Sequence, residues 1–247
     1  MMAETSETPE AFGMRGTAKT PEASGESGGG APGRTPGGAP GGAPDTAAHR
    51  APDKRAVRGG LLAARRLLPP EAVALAAASL ARHALDLPEL GRADTVAAYV
   101  SVGTEPGTRD LLDALRARGT RVLLPVLLPD NDLDWGEYRG PGRLARAGRG
   151  LLEPDGPRLG PDAVLAADAV LVPGLAVDRR GLRLGRGGGS YDRVLTRLER
   201  SGARPALVVL LYADEVVAEV PAEPHDRPVH AAVTPEGVHR FRAPDVP

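Results

Sequence analysis

Apolar positions along this chain fall into two kinds of run. Segments in which leucine, valine or alanine recurs every three to four residues read as helices, and short unbroken apolar stretches read as strands buried on both faces. Val57, Leu61, Leu62, Ala64 and Leu67-Leu68 follow the first pattern, with Asp53 placed to cap the helix and Pro69-Pro70 to stop it. Glu71 to Leu85 reads as a second helix, Thr108 to Arg118 as a third ended by Gly119, and Ser190 to Arg200 as a fourth. The strand-like runs are Thr95 to Val100, Arg121 to Val126, Ala167 to Val172 and Ala206 to Tyr212, with shorter ones at Leu133 to Tyr138 and Val229 to Val233. The Gly- and Arg-rich stretch from Tyr138 to about Pro161 reads as a loop.

Apolar strands alternating with helices predict an α/β fold, its mostly parallel sheet covered on both faces. Ligands in such folds bind beyond the carboxyl ends of the strands. The loop holding Glu105 and the loop running from Arg183 to Asp192 both follow strands, so both are expected on that edge.

The first 50 residues break the pattern. They hold 11 Gly and 6 Pro and almost no large apolar side chain. Such a segment buries too little surface to offset its ordering entropy, so it is expected as a disordered tail ahead of one domain over residues 51–247. The 41% hydrophobic content suffices for one substantial core. A net charge of −1 gives no field that would favour nucleic acid or an anionic membrane as partner. With no cysteine, disulfides, thiolate metal sites and thiol nucleophiles are excluded. The longest nearly uncharged apolar run, Ala72 to Ala81, is about half of the roughly 20 residues a spanning helix requires. The chain is therefore expected to be a cytoplasmic protein. Only two of its 31 basic residues, Lys19 and Lys54, are lysine, so a single arginine carries little information.

One segment concentrates candidate chemistry. From Leu171 an apolar strand runs through a long polar loop with Arg183, Gly185 and Arg186 into Gly187-Gly188-Gly189, then into a helix start with Ser190, Tyr191 and Asp192. Glycine lets backbone amides approach phosphate oxygens, and a helix N-terminus adds partial positive charge. Arginines supply further charge, and a carboxylate supplies the hard oxygen that Mg²⁺ prefers. The spacing matches neither a Walker loop nor a dinucleotide fingerprint. A tight strand-to-helix turn remains the bland alternative, as does a merely dipole-complementing Asp192. Asp226, in Pro-His-Asp-Arg-Pro, is either a second carboxylate for the metal or a solvated turn residue. Lys54 and Arg58 share one helix face, which is either functional or simply solvated. Glu105 lies in a Gly/Pro loop after a buried strand, where it is either a binding residue or a plain turn residue. His49, His83, His225, His230 and His239 show no ligand spacing, and His83 reads as a helix-surface residue. Ser190 lacks the glycine that follows a nucleophile-elbow serine.

In this order the pieces resemble the 5-formyltetrahydrofolate cyclo-ligase family. Lys54-Arg-Ala-Val-Arg58 is similar to the family's Lys-xxx-Arg, and Tyr99-Val-Ser-Val-Gly-Thr-Glu105 to its strand and acidic loop. Val172-Pro-Gly-Leu-Ala-Val-Asp178 with Gly181-Leu-Arg-Leu-Gly-Arg-Gly-Gly-Gly189 and Tyr191-Asp-Arg193 is close to the signature, and Pro224-His-Asp226 with Val233-Thr234 resembles the C-terminal loop. The likeness spans residues 54 to 241 and is most specific in the signature. Two positions depart from it: Ser190 stands where the family usually has an aromatic residue, and His230 where it often has an Asp.

The resemblance implies a three-layer α/β/α sandwich of the ribose-5-phosphate isomerase/CoA-transferase type. It also implies cyclisation of 5-formyltetrahydrofolate to 5,10-methenyltetrahydrofolate at the expense of ATP, with Mg²⁺. On that implication Lys54, Arg55, Arg58, Arg183, Gly185, Arg186, Gly187 to Gly189, Tyr191 and Asp192 hold the nucleotide, with Arg186, Lys54 and Arg58 active in the transfer. Val100, Glu105, Arg186, Gly189, Ser190 and Tyr191 contact the folate, and Asp192 with Asp226 binds the metal. A monomer with small-molecule partners, and neither nucleic acid nor membrane, is expected. The alternatives are a paralogue acting on another formylated or carboxylated molecule, motivated by Ser190, and a folate- or nucleotide-binding protein without catalysis.

Overall fold

The computed structural model describes residues 53–221, 223 and 226–241, so the expected tail over residues 1–50 lies outside the described residues. In chain order the helices are α1 (Lys54–Arg66), α2 (Pro70–Asp86), α3 (Pro88–Gly91), α4 (Arg109–Ala117) and α5 (Ser190–Ser201). The strands are β1 (Thr95–Ala97), β2 (Arg121–Leu127), β3 (Leu133–Glu137), β4 (Leu144–Arg146), β5 (Leu152–Pro154), β6 (Ala169–Val172), β7 (Ala176–Asp178), β8 (Arg183–Leu184), β9 (Ala206–Leu210), β10 (Val216–Val217), β11 (Ala231–Thr234) and β12 (Gly237–Arg240).

The main sheet has the order β12-β11-β9-β6-β1-β2-β3. Its five inner strands are parallel, and the two edge strands run antiparallel to their neighbours. The reason these strands read as unbroken apolar runs is visible in β6. Ala169 and Leu171 face one core, with Leu80 and Ala84 of α2 and Leu111, Leu112 and Leu115 of α4. Val170 and Val172 face a second core, with Val194, Leu195 and Leu198 of α5. Both faces are covered, so no position along the strand tolerates a polar side chain. The layers are helix, sheet, helix, the expected three-layer α/β arrangement.

Several element boundaries differ from expectation. β1 ends at Ala97 rather than Val100, because Thr108 draws the following backbone out of the ladder. The Thr108 hydroxyl donates to the Tyr99 carbonyl at 2.8 Å and accepts from the Ser101 amide at 2.9 Å. The last strand runs Ala231–Thr234, and it turns back into β12, which was not expected. Within the stretch read as a loop, β4 and β5 form a hairpin. The polar loop after β6 holds β7 and β8, whose pairing with β10 makes a small second sheet. His83, expected on the helix surface, is half-buried and hydrogen-bonds the Thr234 carbonyl at 3.1 Å. Among the described residues no helix is long and apolar enough to cross a membrane.

Helix α1 belongs to neither face of the main sheet. Asp53 caps it as expected, accepting from the Arg55 amide at 3.0 Å. Val57 and Leu61 pack on Ala176, Leu184 and Val220 around the small sheet. One buried charge fixes the other end. Arg65, 3% exposed, grips Glu215 with two hydrogen bonds of 2.6 and 2.8 Å and donates to the Gly174 carbonyl at 2.8 Å. Glu215 also accepts from the Tyr212 amide at 2.9 Å, and the guanidinium lies 5.6 Å from the Tyr212 ring centre. Burial works against the charge on Arg65, yet the Glu215 contacts outweigh it and leave the pKa above its ordinary value.

Arg65→Ala leaves Glu215 buried without its cation. Urea unfolding should register a loss of about 3–5 kcal/mol. By contrast Arg240→Ala, which breaks an exposed pair with Glu89, should cost no more than about 1 kcal/mol. Equal losses for the two variants would show that the Arg65 pair is not the anchor described.

Candidate active site

The carboxyl ends of β6, β1 and β2 open beside one another onto a cavity of about 580 Å³, a size typical of small-molecule sites. Every residue assigned above to the nucleotide, the folate or the metal lies on its wall. Lys54, Arg55 and Arg58 come from the first turns of α1, and Val100 and Glu105 from the loop after β1. Arg183 and Gly185 through Asp192 come from the segment after β6, and Asp226 from the chain before β11.

The glycine segment is shaped by close approach. Arg58 donates from Nε to the Gly185 carbonyl at 2.8 Å, and a Cβ on Gly187, whose φ is +86°, would stand 3.3 Å from the Arg58 guanidinium carbon. A Cβ on Gly185 would come within 2.6 Å of Arg183 Nη1. Gly189, at φ +77°, is the N-cap of α5, and no side chain caps that end. The first turn of α5 lies on the cavity wall without a side-chain cap, and such a helix start suits an anion.

Three cations of the site rest on carboxylates of the site. Arg186 Nε faces Glu105 Oε1 at 3.5 Å, and Arg183 Nη2 meets Asp192 Oδ1 at 3.2 Å. Lys54 Nζ lies 3.1 Å from Asp226 Oδ2 and 3.2 Å from Glu223 Oε1. Arg183 is nearly buried and also donates to the Pro173 carbonyl at 2.8 Å. Burial pulls its pKa down, and the Asp192 carboxylate partly restores it. Glu105 is held in turn by the Val102 amide, at 2.9 Å.

Two tyrosines sit behind these pairs. Tyr99 and Tyr191 are both on the cavity wall, and burial, then the field of Glu105, pushes each phenol well above its ordinary pKa. Both therefore stay protonated donors, and the buried Tyr191 hydroxyl has no hydrogen-bond partner among the described residues. Serine at position 190 opens α5 at the cavity rim, with no ring to stack there. His230 has no place in the cavity: its Nδ1 accepts from the Leu207 amide at 2.8 Å, beside β9.

No group of three or more His, Cys, Asp or Glu side chains capable of holding a metal occurs among the described residues. Asp192 and Asp226 do share the main cavity and a smaller one of about 250 Å³ beside it. Two carboxylates suit Mg²⁺ when phosphate oxygens and water complete its shell.

Part of the wall was not legible in the sequence. Pro125 and Leu127 of β2, Leu133 of β3, and Leu151 and Leu152 of the β4–β5 hairpin make an apolar side opposite in character to the arginines, with Arg149 at its margin. These residues come from three segments, and one of them was read as a plain loop. Only the pairing of β4 with β5 and of β2 with β3 assembles them.

Residues 50–235 match the model of the 5-formyltetrahydrofolate cyclo-ligase family. The chain is 46% identical over 189 residues to a 5-formyltetrahydrofolate cyclo-ligase of Mycolicibacterium smegmatis, covering 74% of this chain and 94% of that protein. It is 33% identical over 179 residues to the Escherichia coli enzyme of the same name, covering 70% and 96%. Its fold is similar to that of the Aquifex aeolicus 5,10-methenyltetrahydrofolate synthetase, with TM-score 0.65 and 28% identity over 78% of this chain and 95% of the other.

Gly187→Ala should weaken binding of a nucleoside triphosphate by about tenfold or more, because the new methyl strains the backbone and presses on Arg58. Titration calorimetry with ATP reads this, with the unfolding midpoint as control. Unchanged affinity in a folded variant would remove the glycine segment from the phosphate site.

Proposed function

The chain belongs to the 5-formyltetrahydrofolate cyclo-ligase family and is an ATP-dependent ligase of that kind; from this premise we propose how its cleft closes the ring. The working unit of the proposal is the single domain over residues 51–247, acting as a cytoplasmic monomer on two small molecules. The observation that carries the assignment of roles is the contact between Arg186 and Glu105. It joins the phosphate side of the cavity to its acidic side, so a γ-phosphate held by one is next to a pterin held by the other.

In the proposed reaction the formyl oxygen of 5-formyltetrahydrofolate attacks the γ-phosphorus of ATP, and the bond to the ADP oxygen breaks. N10 of the folate then attacks the activated formyl carbon. The carbon–oxygen bond to phosphate breaks, N10 loses its proton to water, and the 5,10-methenyl cation, ADP and phosphate leave. No protein nucleophile is required; positioning and charge neutralisation carry the rate.

The residues divide accordingly. Gly185 and the amides of Gly187, Gly188 and Gly189 cradle the phosphates, with Lys54, Arg55, Arg58 and Arg183 around them. Arg186 neutralises the group in transfer and reaches the formyl side. Glu105 accepts hydrogen bonds from the pterin, while Val100, Ser190 and Tyr191 line its pocket. Asp192 and Asp226 would hold Mg²⁺, which would supply positive charge against the phosphates during the transfer. Asp192 and Asp226 now pair with Arg183 and Lys54, and phosphate binding to those cations would free both carboxylates to hold the metal.

Arg186→Ala and Asp192→Ala should each lower turnover by about tenfold or more, followed as ADP release that depends on 5-formyltetrahydrofolate, with the fold intact by circular dichroism. Asp192→Ala should in addition raise the Mg²⁺ concentration needed for half-maximal rate. A variant retaining near-normal turnover would strip that residue of its role.

A further inference from the structure

The order of strands lays out the cleft in sequence. The glycine segment follows β6, the Glu105 loop follows β1, and the turn carrying Asn131 follows β2. These three strands are neighbours in the sheet, each about 4.8 Å from the next. A ligand with its reacting group between Arg186 and Glu105 therefore has one direction left in which to extend, over the ends of β2 and β3. That direction is the apolar wall of Leu127, Leu133, Leu151 and Leu152.

At its margin stands a cation that no described carboxylate engages. Arg149 donates from Nη1 to Asn131 Oδ1 at 3.1 Å, tying the β4–β5 turn to the β2–β3 turn. Both residues have left-handed backbones, φ +59° for Arg149 and +66° for Asn131. The conformation is common for Asn but unfavourable for Arg, whose Cβ crowds the backbone there. Gly148 and Gly150 flank Arg149, yet the position under strain carries the long charged side chain. Strain of this kind persists where the fold holds a group in place for a purpose.

We propose that Arg149 is the subsite for the carboxylates of the substrate's glutamate tail, with the leucine wall taking the aminobenzoyl ring that precedes it. The inference rests on the folate reading given above. A guanidinium suits a carboxylate because its donors form a planar fork. The apolar wall in front of Arg149 matches the benzoyl ring, which carries neither charge nor, beyond its attached N10, a reacting atom. Arg149 makes the site specific for folates over pteroates and leaves the phosphate machinery alone.

The test compares 5-formyltetrahydrofolate with 5-formyltetrahydropteroate, which lacks the glutamate, in the full chain. Wild-type protein should favour the glutamate-bearing substrate in kcat/KM by about fivefold, the scale of one exposed charge pair. Arg149→Gly, which suits the left-handed backbone, should bring the ratio to near one; Arg149→Lys should keep part of it. The preference should shrink in high salt. An unchanged ratio in Arg149→Gly, or no wild-type preference, overturns the subsite while leaving the ligase reading intact. Wild-type protein that cyclises neither compound overturns both.

Discussion

The whole cleft depends on a helix that the main sheet does not hold. Helix α1 brings Lys54, Arg55 and Arg58 to the cavity, yet it rests on a small three-stranded sheet and on one buried ion pair. Arg65 lies seven residues beyond Arg58, two turns along the same face. Arg58 binds the Gly185 carbonyl and Arg65 the Gly174 carbonyl, so two arginines on one helix stripe bracket the segment between β6 and α5. Glu215 ties that bracket to the loop after β9. A buried pair of this kind contributes little net stability against an apolar replacement, but breaking it is expensive. Its effect here is geometric: it sets where the cations of α1 stop.

The second constraint is charge balance within the cavity. A cluster of Lys54, Arg58, Arg183 and Arg186 around uncapped helix amides would repel itself if left alone. Glu105, Asp192 and Asp226 hold three of these cations in ordered positions. In the proposed reaction phosphate takes the cations, and the carboxylates turn to the pterin and the metal. The same residues thus serve order before binding and chemistry after it, at the cost of breaking three partly exposed ion pairs.

Much of this was legible in the sequence, for identifiable reasons. Strands such as β6 and β9 are covered on both faces, so their apolar runs are continuous and hard to misread. Asp53 before an amphipathic run marked the start of α1, and the three glycines before Ser190 marked the start of α5. β7 and β8 are too short to leave a period, and β4 and β5 sit among glycines and arginines. Arg65 was invisible for another reason. Among 29 arginines, one more on an amphipathic helix carries no signal until its partner 150 residues away is known. The leucine wall likewise exists only through strand pairing. Ser190 departs from the family pattern and lines the cavity, where a serine offers no ring for stacking.

The central claim is that one cavity brings the folate, ATP and Mg²⁺ together for ring closure. Its most direct test is the near-ultraviolet absorbance of 5,10-methenyltetrahydrofolate as the purified protein meets 5-formyltetrahydrofolate, ATP and Mg²⁺, each omitted in turn. The account predicts a rise that requires all three. A folded protein that binds ATP yet gives no rise, or gives one without nucleotide, would contradict it.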